Sequence, residues 1–203
     1  MTMSYGRPSA PDKQPASFAF TAENMEKVKA VIAKYPEGRQ KSAVLPLLDL
    51  AQRQIGWVPV AAMEEVARIL ELPPIRVYEV ATFYSMFNLE PVGEYLIQVC
   101  TTTPCMLRDS DAVVEACRRH LRIGWNETTA DGKFTLKEVE CLGACVNAPM
   151  VQINDDFFED LDAEKTVALL EALAKGEKPP VGPQNGRHAS EPISGRKVLQ
   201  GGA

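Results

Sequence analysis

The sequence predicts an α+β chain: a small helical bundle followed by a mixed αβ domain. Three observations predict it. Apolar residues recur at helical spacing between residues 22 and 87. From Glu94 onward the pattern changes to period two or to short apolar runs. Between these segments Pro, Gly and Asn mark the joins. With 203 residues and 45% hydrophobic content, the chain has enough apolar material for one domain or two small ones.

Four helices are expected in the first part. Thr21 caps the run 22–34, in which Met25, Val28, Ile32 and Tyr35 recur before Pro36 and Gly38 stop it. Ser42 is the expected cap of a second helix reaching Ile55, with Pro46 tolerated in its first turn and Gly56 as its stop. Pro59 opens a third, Val60 to Leu70. After Pro73 and Pro74 a fourth runs from Ile75 to Phe83 and ends in the apolar cluster Phe83, Tyr84, Met86 and Phe87, for at least half of which core packing is the preferred role over a docking face.

The second part reads as strand 95–99, helix 109–121, strand 134–139, strand 150–153, strand 157–159 and helix 162–175. Asn154 to Asp156 supply the turn of a hairpin, since Asn and Asp tolerate positive φ. A βαβ unit followed by a ββα unit is the thioredoxin-like arrangement. Pro149, before the third strand, stands where that arrangement keeps a cis proline, so a cis bond is expected. The acidic residues Asp155, Asp156, Glu159 and Asp160 are expected to lie in water around the hairpin. The expected organisation is an arm over residues 1–20, mobile unless a partner orders it, a helical bundle over 21–89, the αβ domain over 90–175 and an extended arm over 176–203. That last arm holds ten Gly or Pro among 28 residues and suits wrapping around a neighbour.

Charge and composition exclude several functions. Residues 21–175 carry 16 basic and 24 acidic side chains, whereas the 28 residues after them carry four and two. An acidic body without a stripe of Lys and Arg argues against nucleic acid. No apolar stretch approaches the roughly 20 residues of a membrane-spanning helix, so no direct membrane insertion is expected. The opening residues carry neither a secretory nor a transit pattern, which points to a cytoplasmic chain. There is no glycine-rich nucleotide loop and no nucleophile with an evident base, so no catalytic residue is assigned.

The chemistry is expected at the cysteines. Cys100 and Cys105 follow the first strand, and Cys141 and Cys145 follow the second. If these strands are neighbours, the two pairs converge at one end of the sheet, where four thiolates can surround a small inorganic centre. Thr101, Thr102, Thr103 and Gly143 add short side chains and backbone amides near the sulfurs. Four readings compete. Two close cysteine pairs also suit a structural zinc. A thiol oxidoreductase is disfavoured because its redox pair is spaced by two residues. A Rieske centre needs two His ligands, and His120 and His188 lie in the crossover helix and the tail. An all-cysteine [2Fe-2S] centre is the preferred reading. Cys117, inside the crossover helix, is taken as a small buried residue and not a ligand.

The segment Cys100-Thr-Thr-Thr-Pro-Cys-Met-Leu-Arg, followed by Val139-Glu-Cys-Leu-Gly-Ala-Cys-Val-Asn-Ala-Pro-Met-Val-Gln-Ile-Asn, resembles the family of the 24 kDa [2Fe-2S] subunit of respiratory complex I, the proton-translocating NADH-quinone oxidoreductase. The likeness takes in Ala81-Thr-Phe-Tyr-Ser-Met-Phe and spans roughly residues 20–195. It implies a helical domain, a thioredoxin-like ferredoxin domain and one [2Fe-2S] cluster on Cys100, Cys105, Cys141 and Cys145. It also implies an FMN- and NADH-binding partner that exchanges single electrons with the cluster, and a neighbouring multi-cluster iron-sulfur subunit. The active site would then belong to the complex, peripheral on the cytoplasmic side of a bacterial inner membrane or on the matrix side of a mitochondrial one. Equivalent subunits of NAD-dependent formate dehydrogenases and NAD-reducing hydrogenases are the alternative.

Overall fold

A computed structural model describes residues 8–192, 194 and 195, and divides the chain into two compact units, Met1–Val92 and Gly93–Ala203. The expected arms at residues 1–20 and 176–203 fall partly outside the described residues.

In the first unit the helices are α1 (Ala22–Ile32), α2 (Val44–Ile55), α3 (Val60–Leu70) and α4 (Pro74–Phe83). The Thr21 hydroxyl accepts from Asn24 N, as expected of a cap. Gly56 closes α2 at φ 88°, a left-handed value that side chains resist. Ser42 is not the cap of α2; a 3-10 turn over Gln40–Ala43 leads into the helix, and Ala43 offers no capping side chain. Leu47, Leu48 and Ala51 of α2 meet Ala62, Met63, Val66 and Ala67 of α3 and Val77 and Ala81 of α4 in one buried core, as their spacing on single helix faces requires.

Three glutamines fasten the loops to this core. Gln54 accepts from Thr21 N and donates to Ala19 O, and Gln52 bonds both Met86 O and Asn88 N. Gln14 accepts from Val60 N and donates to Ser9, whose own N–H reaches Leu89 O. From Ser9 onward the leading segment is therefore held to the helical unit. Of the apolar cluster at the end of α4, only Phe87 packs in the core; Phe83, Tyr84 and Met86 are exposed, so fewer than the expected half pack there. Phe83 stands two residues, about 200° around the helix, from the buried Ala81, and the extended Tyr84 then leads the chain away from the helix.

The second unit is a six-stranded mixed sheet with helices. Its elements are β1 (Tyr95–Cys100), α5 (Thr103–Leu107), α6 (Ser110–Leu121), β2 (Glu127–Thr128), β3 (Phe134–Val139), β4 (Val151–Ile153), β5 (Asp156–Glu159), α7 (Ala163–Ala174) and β6 (Gly182–Pro183). The strand order is β2-β3-β1-β4-β5-β6. β1 and β3 are parallel neighbours in the register Cys100↔Val139, with α5 and α6 in the crossover. The expected hairpin is β4 to β5, turning at Asn154 with φ 54°. The Ala148–Pro149 bond is cis, also as expected. The expected helix over 109–121 is preceded by a second, α5, and the two are divided by Asp109 at φ 71°. β2, α5 and β6 have no counterpart among the expected elements, because two-residue strands and a one-turn helix leave no periodicity to read.

Gly93 opens this unit where a Cβ would stand 2.9 Å from the backbone of Gly132 and Lys133, so only glycine fits. Ile97, Val99, Leu136, Val151 and Ile153 of the sheet pack with Val113 and Cys117 of α6 and Leu169, Leu170 and Leu173 of α7.

Truncating Leu47 or Leu136, both fully buried, to Ala should cost about 2–5 kcal/mol of unfolding free energy. Ile75→Ala, at an exposed position, should change it by less than about 0.5 kcal/mol. Urea unfolding of the three variants measures the contrast.

Candidate metal centre

Parallel pairing gives β1 and β3 a common C-terminal end, and all four candidate cysteines lie there. Cys100 is the last residue of β1, and its N–H reaches Met150 O at 3.4 Å. Cys105 comes back to it on α5, whose first turn contains Pro104. Both residues are buried, and Ala148 and Met150 pack against them. Cys141 follows β3 and Cys145 begins a 3-10 turn, Cys145–Asn147; both are exposed. The two pairs are thus an inner and an outer one.

The sulfurs of Cys141 and Cys145 stand 3.4 Å apart, and Gly143 N donates to Cys141 Sγ at 3.4 Å. Gly143 reaches that sulfur from φ 86°, which explains a glycine at this point. The Thr102 hydroxyl lies 3.3 Å from Cys100 Sγ. Thr101 turns away and donates to Glu138 of β3 at 2.9 Å, fastening the first residue after β1 to the neighbouring strand.

The thiols are electrostatically coupled. Burial pushes Cys105 up to about 12, and the hydrogen bond and charge of Cys100 act in the same direction. Cys141 is lowered, first by the Gly143 N–H and then by Cys145, with smaller contributions from Thr102 and Cys100. Cys145 is raised, chiefly because it is the partner that keeps its proton in the bond to Cys141. A metal would replace such shared protons, since cysteine binds metals as thiolate.

This donor set fits a binuclear iron-sulfur centre. Such a centre takes two thiolates on each of two irons, whereas a structural zinc gathers its ligands about a single ion. The sulfurs come as two pairs with an amide and a hydroxyl at hand.

Cys117 stands apart from these four, fully buried between sheet and helices, with burial pushing its thiol up to about 12. His120 lines a shallow groove between α6 and α7. The hairpin acids divide: Asp155 and Asp156 are exposed, but Glu159 is half-buried, its carboxylate accepting from Asn147 Nδ2 at 2.7 Å. Asp160 is buried and paired with Arg187. The expectation of a wholly solvated acidic hairpin is corrected on this point, because Asp160 lies past the end of β5, where the chain turns inward and Asp160 N donates to Asn147 O. Arg187, 27 positions away in a segment rich in Gly and Pro, gives no periodic signal; the surplus of basic residues there is the trace it leaves in the sequence.

Comparison with known proteins agrees with this geometry. The family model described as thioredoxin-like [2Fe-2S] ferredoxin matches residues 28–174. The mitochondrial NADH dehydrogenase [ubiquinone] flavoprotein 2 of Dictyostelium discoideum is 53% identical over 183 residues, 90% of this chain and 74% of that protein. A NADH-quinone oxidoreductase subunit of Rickettsia typhi is 60% identical over 156 residues, 76% of this chain and 92% of that protein. Among solved structures, an NAD+-reducing [NiFe]-hydrogenase superposes with a TM-score of 0.59 at 24% identity. That match covers 68% of this chain and 23% of the hydrogenase chain, and shows the fold alone.

In the metal-free protein, Cys141 should be the first thiol alkylated by iodoacetamide, at a pH below the usual thiol range, and Cys117 the last. Peptide mapping by mass spectrometry reads the order, and early labelling of Cys117 would refute it. The thiol of Cys117 has an ordinary value of 9.0 and a folded value of about 12. Its contribution to stability is therefore intact below pH 9 and lost as pH rises through 12. Cys117→Ala should flatten the alkaline decline in that window, as followed by urea unfolding.

Proposed function

We propose, from the premise that this chain belongs to the thioredoxin-like [2Fe-2S] ferredoxin family, that it is the 24 kDa-type electron-transfer subunit of an NADH-quinone oxidoreductase. The observation that carries the reading is the meeting of two close thiol pairs at the common end of β1 and β3, in a chain 60% identical over 156 residues to a subunit of such an enzyme. Cys100, Cys105, Cys141 and Cys145 are the proposed ligands of one [2Fe-2S] cluster. Residues 21–89 are read as a separate helical domain and 90–175 as the cluster domain.

When bound, the cluster takes up and returns one electron at a time. The chain's own residues hold and tune the sulfurs. Cys100 and Cys105 offer theirs from a dry, apolar wall, while Cys141 and Cys145 offer theirs toward the surface. The Gly143 amide donates to one outer sulfur and the Thr102 hydroxyl stands by one inner sulfur, contacts of the kind that set a cluster's potential. No side chain here is assigned as general acid or base; in the subunit reading, supported by the likeness to such subunits, the oxidation of NADH belongs to the assembly.

Met106, Leu107 and Val146 are exposed apolar residues beside the cysteines. They suit contact with the FMN- and NADH-binding subunit, since a short electron path needs water excluded between donor and acceptor. The neighbouring multi-cluster iron-sulfur subunit is the second proposed partner. No helix among the described residues is long and apolar enough to cross a membrane; the proposed place is peripheral, on the cytoplasmic side of a bacterial inner membrane or the matrix side of a mitochondrial one. The same module in an NAD-reducing hydrogenase or formate dehydrogenase is the second reading, since such a hydrogenase shares the fold.

Anaerobically purified protein should be brown, hold two irons per chain and give a spin-half EPR signal after dithionite. Replacing any one of Cys100, Cys105, Cys141 and Cys145 by Ser should abolish or displace that signal, while Cys117→Ser should keep it. A colourless protein with one zinc would overturn the reading.

A further inference from the structure

The last described part of the chain is built onto the cysteine loop. β6 pairs in parallel with β5 in the register Phe158↔Gly182 and Glu159↔Pro183, and Gln184 N continues the ladder to Glu159 O at 2.9 Å. The chain then turns across the end of β5. Arg187 Nε donates to Asp160 Oδ2 at 2.8 Å, and Nη2 donates to Asp160 Oδ1 as well, so the guanidinium grips the carboxylate with two donors. Both side chains of this pair are more than nine-tenths buried. Nη2 also donates to Val146 O at 2.9 Å, the carbonyl directly after Cys145. Nη1 donates to Glu191 O at 2.9 Å, which closes the segment on itself.

A second grip lies one residue on. Asn147 is buried, and its Nδ2 donates to Ala189 O at 2.9 Å and to Glu159 Oε2 at 2.7 Å. The turn Cys145–Asn147 is thus held from outside at two consecutive residues by the segment 187–189. Asp160 N donates to Asn147 O at 2.7 Å, and the turn's own bonds are few. Asn147 N donates to Ala144 O at 3.0 Å and Ala148 N to Cys145 O at 3.4 Å, in a single 3-10 turn without a capping side chain. Cys145 and Val146 are exposed, so packing holds neither.

We propose that Arg187 is a positioning residue for the outer thiol pair: its fork ties the carbonyl of Val146 to the buried Asp160 and so fixes where Cys145 presents its sulfur. Closing the open edge of β5 requires only the β6 pairing and Gln184. A guanidinium reaching the backbone beside a proposed ligand has a further consequence, because a loop that opens less often releases its metal less often. Arginine suits the task and lysine does not, since the contact needs several donors in fixed directions.

The inference rests on the reading of the four cysteines as cluster ligands, and the test separates the two. Full-length parent, Arg187→Gln and Arg187→Lys are purified anaerobically with their cluster. Iron release to a chelator is timed, and EPR of the dithionite-reduced protein is recorded. Arg187→Gln should release iron about tenfold faster or more, given the cost of stranding a buried carboxylate, and should show displaced or broadened EPR lines. Arg187→Lys should fall between, because an ammonium can stay with Asp160 but cannot also hold Val146 O. Parent-like release and parent-like EPR lines in Arg187→Gln would overturn the proposal. Should that variant not fold, the same result in Arg187→Lys would overturn it. A parent that takes up no iron would overturn the cluster reading itself, and the positioning role with it.

Discussion

Everything at the cysteine end of the molecule depends on the parallel pairing of β1 with β3. Parallel strands cannot be joined by a tight turn, so the chain must travel back along the sheet before β3 can start. Here α5 and α6 make that journey, and their cost in ordered backbone is offset by burying Val113, Ala116 and Cys117. Six residue pairs from Tyr95↔Phe134 to Cys100↔Val139 lock the register. A slip of one residue would reverse the faces of Ile97, Val99 and Leu136. It would also move Cys100 from its place opposite Val139 and so from the loop that carries Cys141, so hydrophobic register and site geometry are one constraint.

The same pairing explains the inequality of the two thiol pairs. The loop after β1 folds at once into α5 and is covered by Ala148 and Met150, whereas the loop after β3 runs out over the surface before returning at the cis Pro149. The inner pair is fixed by packing, and the outer pair by hydrogen bonds from Gly143 and from the segment beyond α7. A site of this form has one wall in a low-dielectric interior and one open to a partner. That is the arrangement an electron carrier requires, since it must shield charge on one side and pass it on the other.

The legible parts of the sequence are those with long periodicity or a fixed chemical need. Four helices of the first unit, the β1 and β3 strands, the hairpin at Asn154 and the cysteine pairs can all be read, because an apolar face, a positive φ or a soft ligand restricts the residue type. What escapes is set by contacts between residues distant in sequence. Gln14, Gln52 and Gln54 are ordinary surface residues by pattern, yet each bonds a backbone 30 or more positions away. Phe83, Tyr84 and Met86 are apolar and so candidates for the core, but hydropathy does not say which side of a helix end meets it: α4 stops at Phe83 as its sequence predicts, yet all three side chains stay exposed.

The charge imbalance along the chain has a local explanation of the same kind. The folded body is acidic and the segment after it basic, which on composition alone describes an extended arm free to wrap a neighbour. Asp160 shows why that description fails. Its side chain is buried past the end of β5, and a buried carboxylate without a partner would cost on the order of 3–5 kcal/mol. The cation that meets it comes from farther along the chain. Arg187 is delivered there by the β5–β6 pairing, which sets the segment's path across the end of the strand. Composition rich in Gly and Pro is then no sign of disorder in this stretch: Gly182 and Gly186 take φ 90° and 85°, values that let the backbone turn across the sheet and back. The path of this segment follows from two things, the β5–β6 pairing that brings it in and the buried acid of the body that holds Arg187.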